Sequence, residues 1–193
     1  MNETLLHIYK KDSKPFQTLS LLSNEEAERM MRSLYVEGST FWERFKNPRE
    51  YLGFRKTIEE KIRKEFIRKG GKPKVKYPIY CILGKSKWLE NGPDEFTLKT
   101  TAMIEIPFSL CKCEEVSFTY PDSMVSTLIE NEKNMDYYDP DLHGKVFTYE
   151  EIKKVIEERG YPGYKWKTKM PEHFANYIEA QVWNYDTFSQ YNN

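Results

Sequence analysis

The residues best suited to chemistry lie in a short stretch near the end of the chain, residues 177–183. Strict alternation places its side chains on two faces of a predicted strand. One face is apolar and consists of Ile178, Ala180 and Val182. The other face consists of Glu179, Gln181 and Trp183. A carboxylate, an amide and an indole in a row form either a solvated sheet surface or the floor of a polar cleft, and alternation alone does not decide between them.

A metal site is a second kind of chemistry that the residue types permit. The chain has three cysteines, Cys81, Cys111 and Cys113. Its three histidines are His7, His143 and His173. Four of these residues could surround zinc, but their spacing is wrong for a common zinc finger. Cys111 and Cys113 are also too close in sequence for a relaxed structural disulfide. We therefore expect reduced thiols and no bound metal.

Other catalytic motifs are missing from the sequence. No G-x-S-x-G pattern indicates a serine hydrolase. The tripeptide Gly84-Lys85-Ser86 resembles the end of a phosphate-binding loop, but the first glycine and a following helix signal are absent. No cysteine has a histidine base beside it in the sequence. Motifs alone therefore assign no reaction to this chain.

About three helices are expected to position these residues. The first follows a capping box formed by Ser23 and Glu26. The second is long and covers residues 48–69, beginning at a proline and ending before two glycines. The third follows the capping box of Thr148 and Glu151.

Alternation with a period of two predicts about five strands. They are expected near residues 5–9, 75–83, 96–106, 116–120 and 177–183. The three middle strands are joined without predicted helices, so we expect them to pair antiparallel with one another. The first strand is expected to pair with strands from the second half of the chain. The order of elements predicts an α+β fold with a mostly antiparallel, twisted sheet.

Two segments could contact a partner. Residues 121–144 have no clear periodicity and are rich in turn-forming residues, which predicts a mobile functional loop. The helix over 48–69 carries many lysines and arginines that could meet the phosphates of a nucleotide or a nucleic acid. Its glutamates stand at ion-pairing spacings, which favours an ordinary solvated helix face.

Length and composition bound these interpretations. A chain of 193 residues can bury one sizeable core, so residues 1–193 are expected to form a single domain. Aromatic residues make up 15%, which predicts an aromatic-rich core. Thirty basic residues balance thirty acidic ones, so nucleic acid is not favoured as a partner. The sequence lacks a signal peptide pattern and a long apolar run, so we expect a cytoplasmic protein without membrane attachment.

Three segments carry a resemblance to known proteins. Residues 69–87, 116–124 and 177–183 look like the corresponding parts of a set of uncharacterised bacterial proteins of similar length. The resemblance covers most of the chain. It implies a bacterial origin and no particular activity.

Single residues also resemble the ADP-ribosyltransferase superfamily, whose histidine-type members have a His on an early strand, aromatics in mid-chain and a catalytic Glu on a late strand. The matching residues here are His7, Tyr80 (or Tyr77) and Glu179. The resemblance implies that His7 holds the nicotinamide ribose of NAD, that Tyr80 stacks on nicotinamide, and that Glu179 stabilises the cation formed as the glycosidic bond opens. Members often carry Glu or Gln two positions before the catalytic Glu, whereas here Tyr177 precedes and Gln181 follows.

Two classes of function stay open on this basis. The first is a binding or interaction module for a nucleotide or a protein, which uses the polar and aromatic cleft or the helix over 48–69 and needs no cofactor. The second is a transferase that uses NAD, with Glu179, His7 and Tyr80 as catalytic residues. The residues expected to contact a cofactor are Gln181, Trp183 and Arg55. Each candidate also has an ordinary role: a strand histidine bonded to a carbonyl, a sheet carboxylate, or a core aromatic.

Overall fold

A five-stranded antiparallel sheet forms the centre of the fold. The computed structural model describes residues 3–39, 41–91, 94–164, 170 and 174–191. The strands are β1 (Thr4–Lys10), β2 (Ile79–Leu83), β3 (Thr101–Pro107), β4 (Val116–Thr119) and β5 (Glu179–Val182). Their order across the sheet is β3-β1-β2-β5-β4, and all four pairings are antiparallel. The strand that carries Glu179 therefore lies inside the sheet, between β2 and β4.

Six α-helices surround the sheet in the described part of the chain. They are α1 (Asn24–Leu34), α2 (Pro48–Arg68), α3 (Lys87–Asn91), α4 (Glu95–Thr100), α5 (Ser123–Asn131) and α6 (Tyr149–Arg159). The capping boxes expected at Ser23 and Thr148 are both formed, and each begins the helix that it predicts. The α+β class and the five antiparallel strands are confirmed, but the expectation of about three helices is wrong.

The strand register assigns each residue to one of two faces. Residues directly opposite each other in an antiparallel sheet share a face. Leu6 lies opposite Ile82, Ile82 opposite Glu179, and Glu179 opposite Thr119. Tyr80 and Gln181 belong to the same face, because they are one period away and lie opposite each other. This face, called the polar face below, is the one that carries the candidate residues of β2 and β5.

The other face of the sheet is the main core. Its buried side chains from β5 are Ala180 and Val182, as alternation predicts, and they pack with Ile152 and Ile156 of α6. The polar face is covered instead by α1 and α2. Ala27 and Met31 of α1 pack with aromatic residues of the following segment, and Ile58, Ile62 and Phe66 of α2 pack with Trp183. The sheet is thus covered by helices on both faces.

Three sequence-based expectations are corrected by this architecture. The strand expected over 96–106 begins only at Thr101, because Asp94 accepts a hydrogen bond from the Thr97 amide and starts α4. Residues 75–78 precede β2 instead of belonging to it. The loop expected over 121–144 contains α5, which Asp122 caps by accepting from the Met124 and Val125 amides.

The pairing of strands also differs from the expectation. The three middle strands, β2, β3 and β4, do not pair with one another, because β1 and β5 separate them. β1 pairs with β3 from the second half of the chain, as expected, and also with β2. None of the described helices is both long and apolar enough to cross a membrane.

Candidate functional site

Glu179 is a buried carboxylate at the start of β5. Only 8% of its surface is exposed. Its Oε1 atom accepts hydrogen bonds from the Ser123 amide at 3.1 Å and from Gln181 Nε2 at 2.8 Å. Thr119 Oγ1 lies 3.5 Å from the same oxygen. The carboxylate is therefore held at the N-terminus of α5 by donors from three different elements, which fixes its position before any ligand binds.

Gln181 and Trp183 belong to a hydrogen-bond network that holds Glu179 in place. Gln181 is fully buried; its amide donates to Glu179 and Thr119, and it accepts from Ser117 Oγ at 2.8 Å. Ser117 Oγ in turn accepts from Trp183 Nε1 at 2.8 Å. This chain of bonds joins a core indole to the carboxylate, and such networks restrict the conformations of their members. Both residues were expected to contact a cofactor, yet their contacts are internal to the protein.

The pKa of Glu179 is raised to about 7. Burial is the largest cause, because a carboxylate loses hydration in the interior, and the negative charge of Asp122 adds to the effect. Hydrogen bonds from Ser123 and Gln181 act in the opposite direction, since they favour the charged form. Glu179 consequently changes charge near neutral pH, which suits either a proton donor or an acceptor of ligand hydrogen bonds.

Tyr80 and Arg55 form a second polar group on the same face. The Arg55 guanidinium carbon lies 4.4 Å from the centroid of the Tyr80 ring. Arg55 Nε and the Tyr80 hydroxyl both donate to Glu59 Oε1, each at 3.0 Å. Arg55 Nε also lies 3.2 Å from Ser20 Oγ. Only 14% of the Arg55 side chain is exposed, and the Glu59 side chain is fully buried. The ion pair between Arg55 and Glu59 therefore fixes the Tyr80 ring against α2.

His7 has a structural position. The pairing of β1 with β2 covers only Leu5 and Leu6, and beyond them the His7 side chain bridges the two strands. Its Nδ1 lies 2.9 Å from the Tyr80 carbonyl oxygen, and its Nε2 lies 2.9 Å from the Phe16 amide nitrogen. A carbonyl only accepts and an amide only donates, so the ring is neutral with its proton on Nδ1. Burial also lowers the pKa of His7 below its ordinary value.

One cavity of about 600 Å³ brings most of the candidates together. Glu179, Tyr80 and Arg55 line it, whereas Gln181 and Trp183 do not. His7 also borders it, but alternation along β1 places its ring on the other face of the sheet, where it stacks on Phe16. The cavity lies between the polar face of the sheet and α1, with residues of β1, β2 and the start of α5 on its walls. Its volume falls within the usual range for small-molecule sites. This convergence is what distinguishes a cleft from a solvated sheet surface.

Further residues line the cavity that sequence reasoning did not select. Phe41, Trp42 and Phe45 lie in the segment between α1 and α2 and supply an aromatic wall. Met30 and Ser33 lie one turn apart on α1, at the spacing that puts residues on one helical face. The dense aromatics of 41–45 were the signal available in the sequence. Residues 41–45 have neither helical nor strand periodicity, so the sequence offered no reason to expect that they pack against the sheet.

Most of the basic residues on α2 and just after it are paired with neighbouring carboxylates. Lys64, Arg68 and Arg55 pair with glutamates of the same helix. Arg49, Lys61 and Lys69 pair with glutamates of α1, α5 and α6. These pairs reduce the positive charge that is free to meet a phosphate backbone, as the ion-pairing spacings in the sequence predict for a solvated helix face.

No group of three metal-binding side chains forms among the described residues, and His173 lies outside them. Cys81 is buried, Cys111 is half-buried and Cys113 is exposed, all with free thiols. Burial raises the pKa of the Cys111 thiol to about 12, which disfavours the nucleophilic thiolate.

Comparison of the chain with protein-family models, with curated proteins and with solved structures returns no match. The site must therefore be interpreted from its own geometry.

Proposed function

We propose that this protein is a binding module that holds a small organic molecule in the cavity on the polar face of the sheet. The observation that carries the proposal is the convergence of Glu179, Tyr80 and Arg55 on one cavity of about 600 Å³ with an aromatic wall. Sites for small molecules combine apolar walls with a few fixed polar groups in this way.

The hydrogen-bond networks support the same proposal. Glu179 is held by Gln181 and Ser123, and Tyr80 by Glu59, so the polar groups are positioned without a ligand. A preformed site loses less conformational entropy when a ligand binds. The neutralised charges of α2 make the cavity a better candidate for ligand binding than the basic helix.

A thermal-shift series tests this proposal. Purified protein is heated with separate panels of nucleotides, sugars, amino acids, short peptides and uncharged aromatic compounds. A compound at a hundred times its dissociation constant stabilises the native state by about 2.7 kcal/mol, which raises the melting temperature by several degrees. We expect at least one panel to give such a shift. Absence of a shift with every panel would contradict the proposal.

A second candidate is the transferase that uses NAD. The presence of Glu179 and Tyr80 on the walls of one cavity favours it, as does the raised pKa of Glu179. The engagement of both His7 nitrogens weakens it, because no ring nitrogen is left for a ribose hydroxyl. The release of nicotinamide from NAD, assayed for wild type and Glu179→Gln, tests this candidate. Release that depends on Glu179 would establish it, and no release from wild type would exclude it.

A further inference from the structure

The charges along the cavity are unevenly distributed. Four exposed basic residues line it, namely Lys10, Lys14, Arg29 and Arg44. None of the four makes an ion pair with a described residue, and the Arg44 guanidinium lies over the rings of Phe41 and Phe45. Most cations of α2 are paired with glutamates, whereas the charges of these side chains at the cavity are free to meet a ligand. Glu26 lies among them, but it accepts from the amide and hydroxyl of Ser23 in the capping box.

Lys10 and Glu179 lie at different ends of the cavity. Leu6 of β1 is level with Ile82 of β2 and Glu179 of β5, and Lys10 is four residues further along β1. Neighbouring strands are about 4.8 Å apart and residues advance about 3.3 Å along a strand, so the Cα atoms of Glu179 and Lys10 are separated by roughly 16 Å. Lys10 and Leu6 share the polar face of the sheet.

The region between these ends is aromatic. Tyr80 lies on the polar face two residues from Ile82, on the side toward which β1 runs to Lys10. Phe45 and Tyr51 also line the cavity and contact each other edge to face. The cavity thus presents the Glu179 carboxyl group at one end, aromatic rings along its length, and Lys10 with the turn that carries Lys14 at the other end.

We propose that the ligand of this cavity is a phosphorylated nucleoside, with its phosphates at Lys10, Lys14 and Arg29 and its hydroxyl or amino groups toward Glu179. This inference rests on the proposed function and specifies its ligand class. Phosphate oxygens form strong charge-assisted hydrogen bonds with lysine and arginine. A base and a ribose supply the ring and the hydrogen-bond donors that suit the aromatic wall and the carboxylate.

Calorimetric titration with ADP, adenosine and inorganic pyrophosphate tests the inference. We expect ADP to bind at least about 10-fold more tightly than adenosine, because only ADP reaches the basic residues. Pyrophosphate should compete with ADP, and its binding should weaken as salt is added. The double variant Lys10→Gln/Lys14→Gln should raise the dissociation constant of ADP about 10-fold and leave that of adenosine unchanged.

The matched control is Lys85→Gln/Lys133→Gln, which removes two exposed lysines that do not line the cavity. It should bind ADP like the wild type. Equal affinities of ADP for the two double variants would overturn the inference. Tight binding of an uncharged compound that depends on Glu179, without a gain from phosphates, would overturn the inference and leave the proposed function intact. No binding of ADP, adenosine or pyrophosphate would overturn the inference alone, whereas no shift with any panel of the thermal-shift series would contradict both.

Discussion

At the scale of single residues, Glu179 combines properties that are rarely found in an ordinary sheet carboxylate. It is buried, it is held by Ser123 and Gln181, and it lines a cavity. Surface carboxylates have water to solvate their charge, whereas this one depends on two internal donors. Burial of the charged Glu179 carboxylate thus lowers the stability of the fold. A ligand that donates a hydrogen bond to the carboxylate would offset part of that loss.

This loss predicts a pH dependence of stability. Since the folded pKa is about 7 against an ordinary value of 4.5, the folded state holds the proton between these values while the unfolded state releases it. The contribution of Glu179 is therefore most favourable below pH 4.5 and is lost as pH rises through about 7. Glu179→Gln, which cannot ionise, should become progressively more stable relative to the wild type from pH 5 to pH 8.

Urea denaturation of both proteins across this range measures the difference in the free energy of unfolding. Comparison of the two proteins cancels the other titrating groups, including His7 and His143, whose pKa values are lowered by burial. A difference that does not change with pH would show that the carboxyl group has no raised pKa. Severe unfolding of the variant at every pH would instead mark Glu179 as an obligatory structural partner.

At the scale of elements, β1 and β2 lose their regular pairing next to the cavity. Regular pairing ends after Leu6, and His7 continues the connection with its side chain. His7 also accepts a hydrogen bond from the Phe16 amide and so fixes the segment that follows β1. The φ angle of Phe16 is 56°. β1 can therefore diverge from β2 and leave room on the polar face without losing its place in the sheet.

His7→Ala should accordingly destabilise the fold. The substitution leaves the Tyr80 carbonyl and the Phe16 amide without their partner and removes a ring that stacks on Phe16 at 4.7 Å. We expect a loss of about 2–4 kcal/mol in the free energy of unfolding, measured by urea denaturation, and about 0.5 kcal/mol or less for the exposed Lys11→Ala control. A loss for His7→Ala as small as that of the control would refute the bridging role.

Sequence patterns predicted the helices and strands that have local signals. They failed where contacts between residues distant in sequence determine the structure. The boxes at Ser23 and Thr148 and the alternation of β5 depend on neighbouring residues, so they could be recognised. The start of α4 could have been found from Asp94 and Thr97, but the alternating apolar residues of 96–106 obscured that cap. Strand order could not be derived, because β1 and β5 enter between strands that are closer to one another in sequence.

The candidate site was predictable to the same extent. Alternation grouped Glu179 with Gln181 and Trp183 on one face, and that grouping is correct. Which of them line the cavity depends on α1, α2 and the aromatics between them, and no sequence period places those elements on the sheet. The lysines of β1 and the turn after it were likewise unremarkable in sequence, because their lack of ion-pair partners is a property of the folded chain.

At the scale of the whole molecule, a neutral net charge conceals two different arrangements. Thirty basic and thirty acidic residues balance overall. The long helix pairs most of its cations with glutamates, while Lys10, Lys14, Arg29 and Arg44 make no ion pair among the described residues at the cavity. Because unpaired charge at a cavity attracts and orients a charged ligand, this asymmetry indicates where binding takes place better than the total does.

The most direct test of this account is calorimetric titration, at pH 8, of the tightest compound from the thermal-shift series. It compares the wild type with Glu179→Gln and with Glu105→Gln, a change of an exposed carboxylate on the polar face outside the cavity. A ligand in the cavity should lose at least about 10-fold in affinity, or about 1.4 kcal/mol, with Glu179→Gln and nothing with Glu105→Gln. Unchanged affinity for both variants would place the ligand elsewhere and contradict the account.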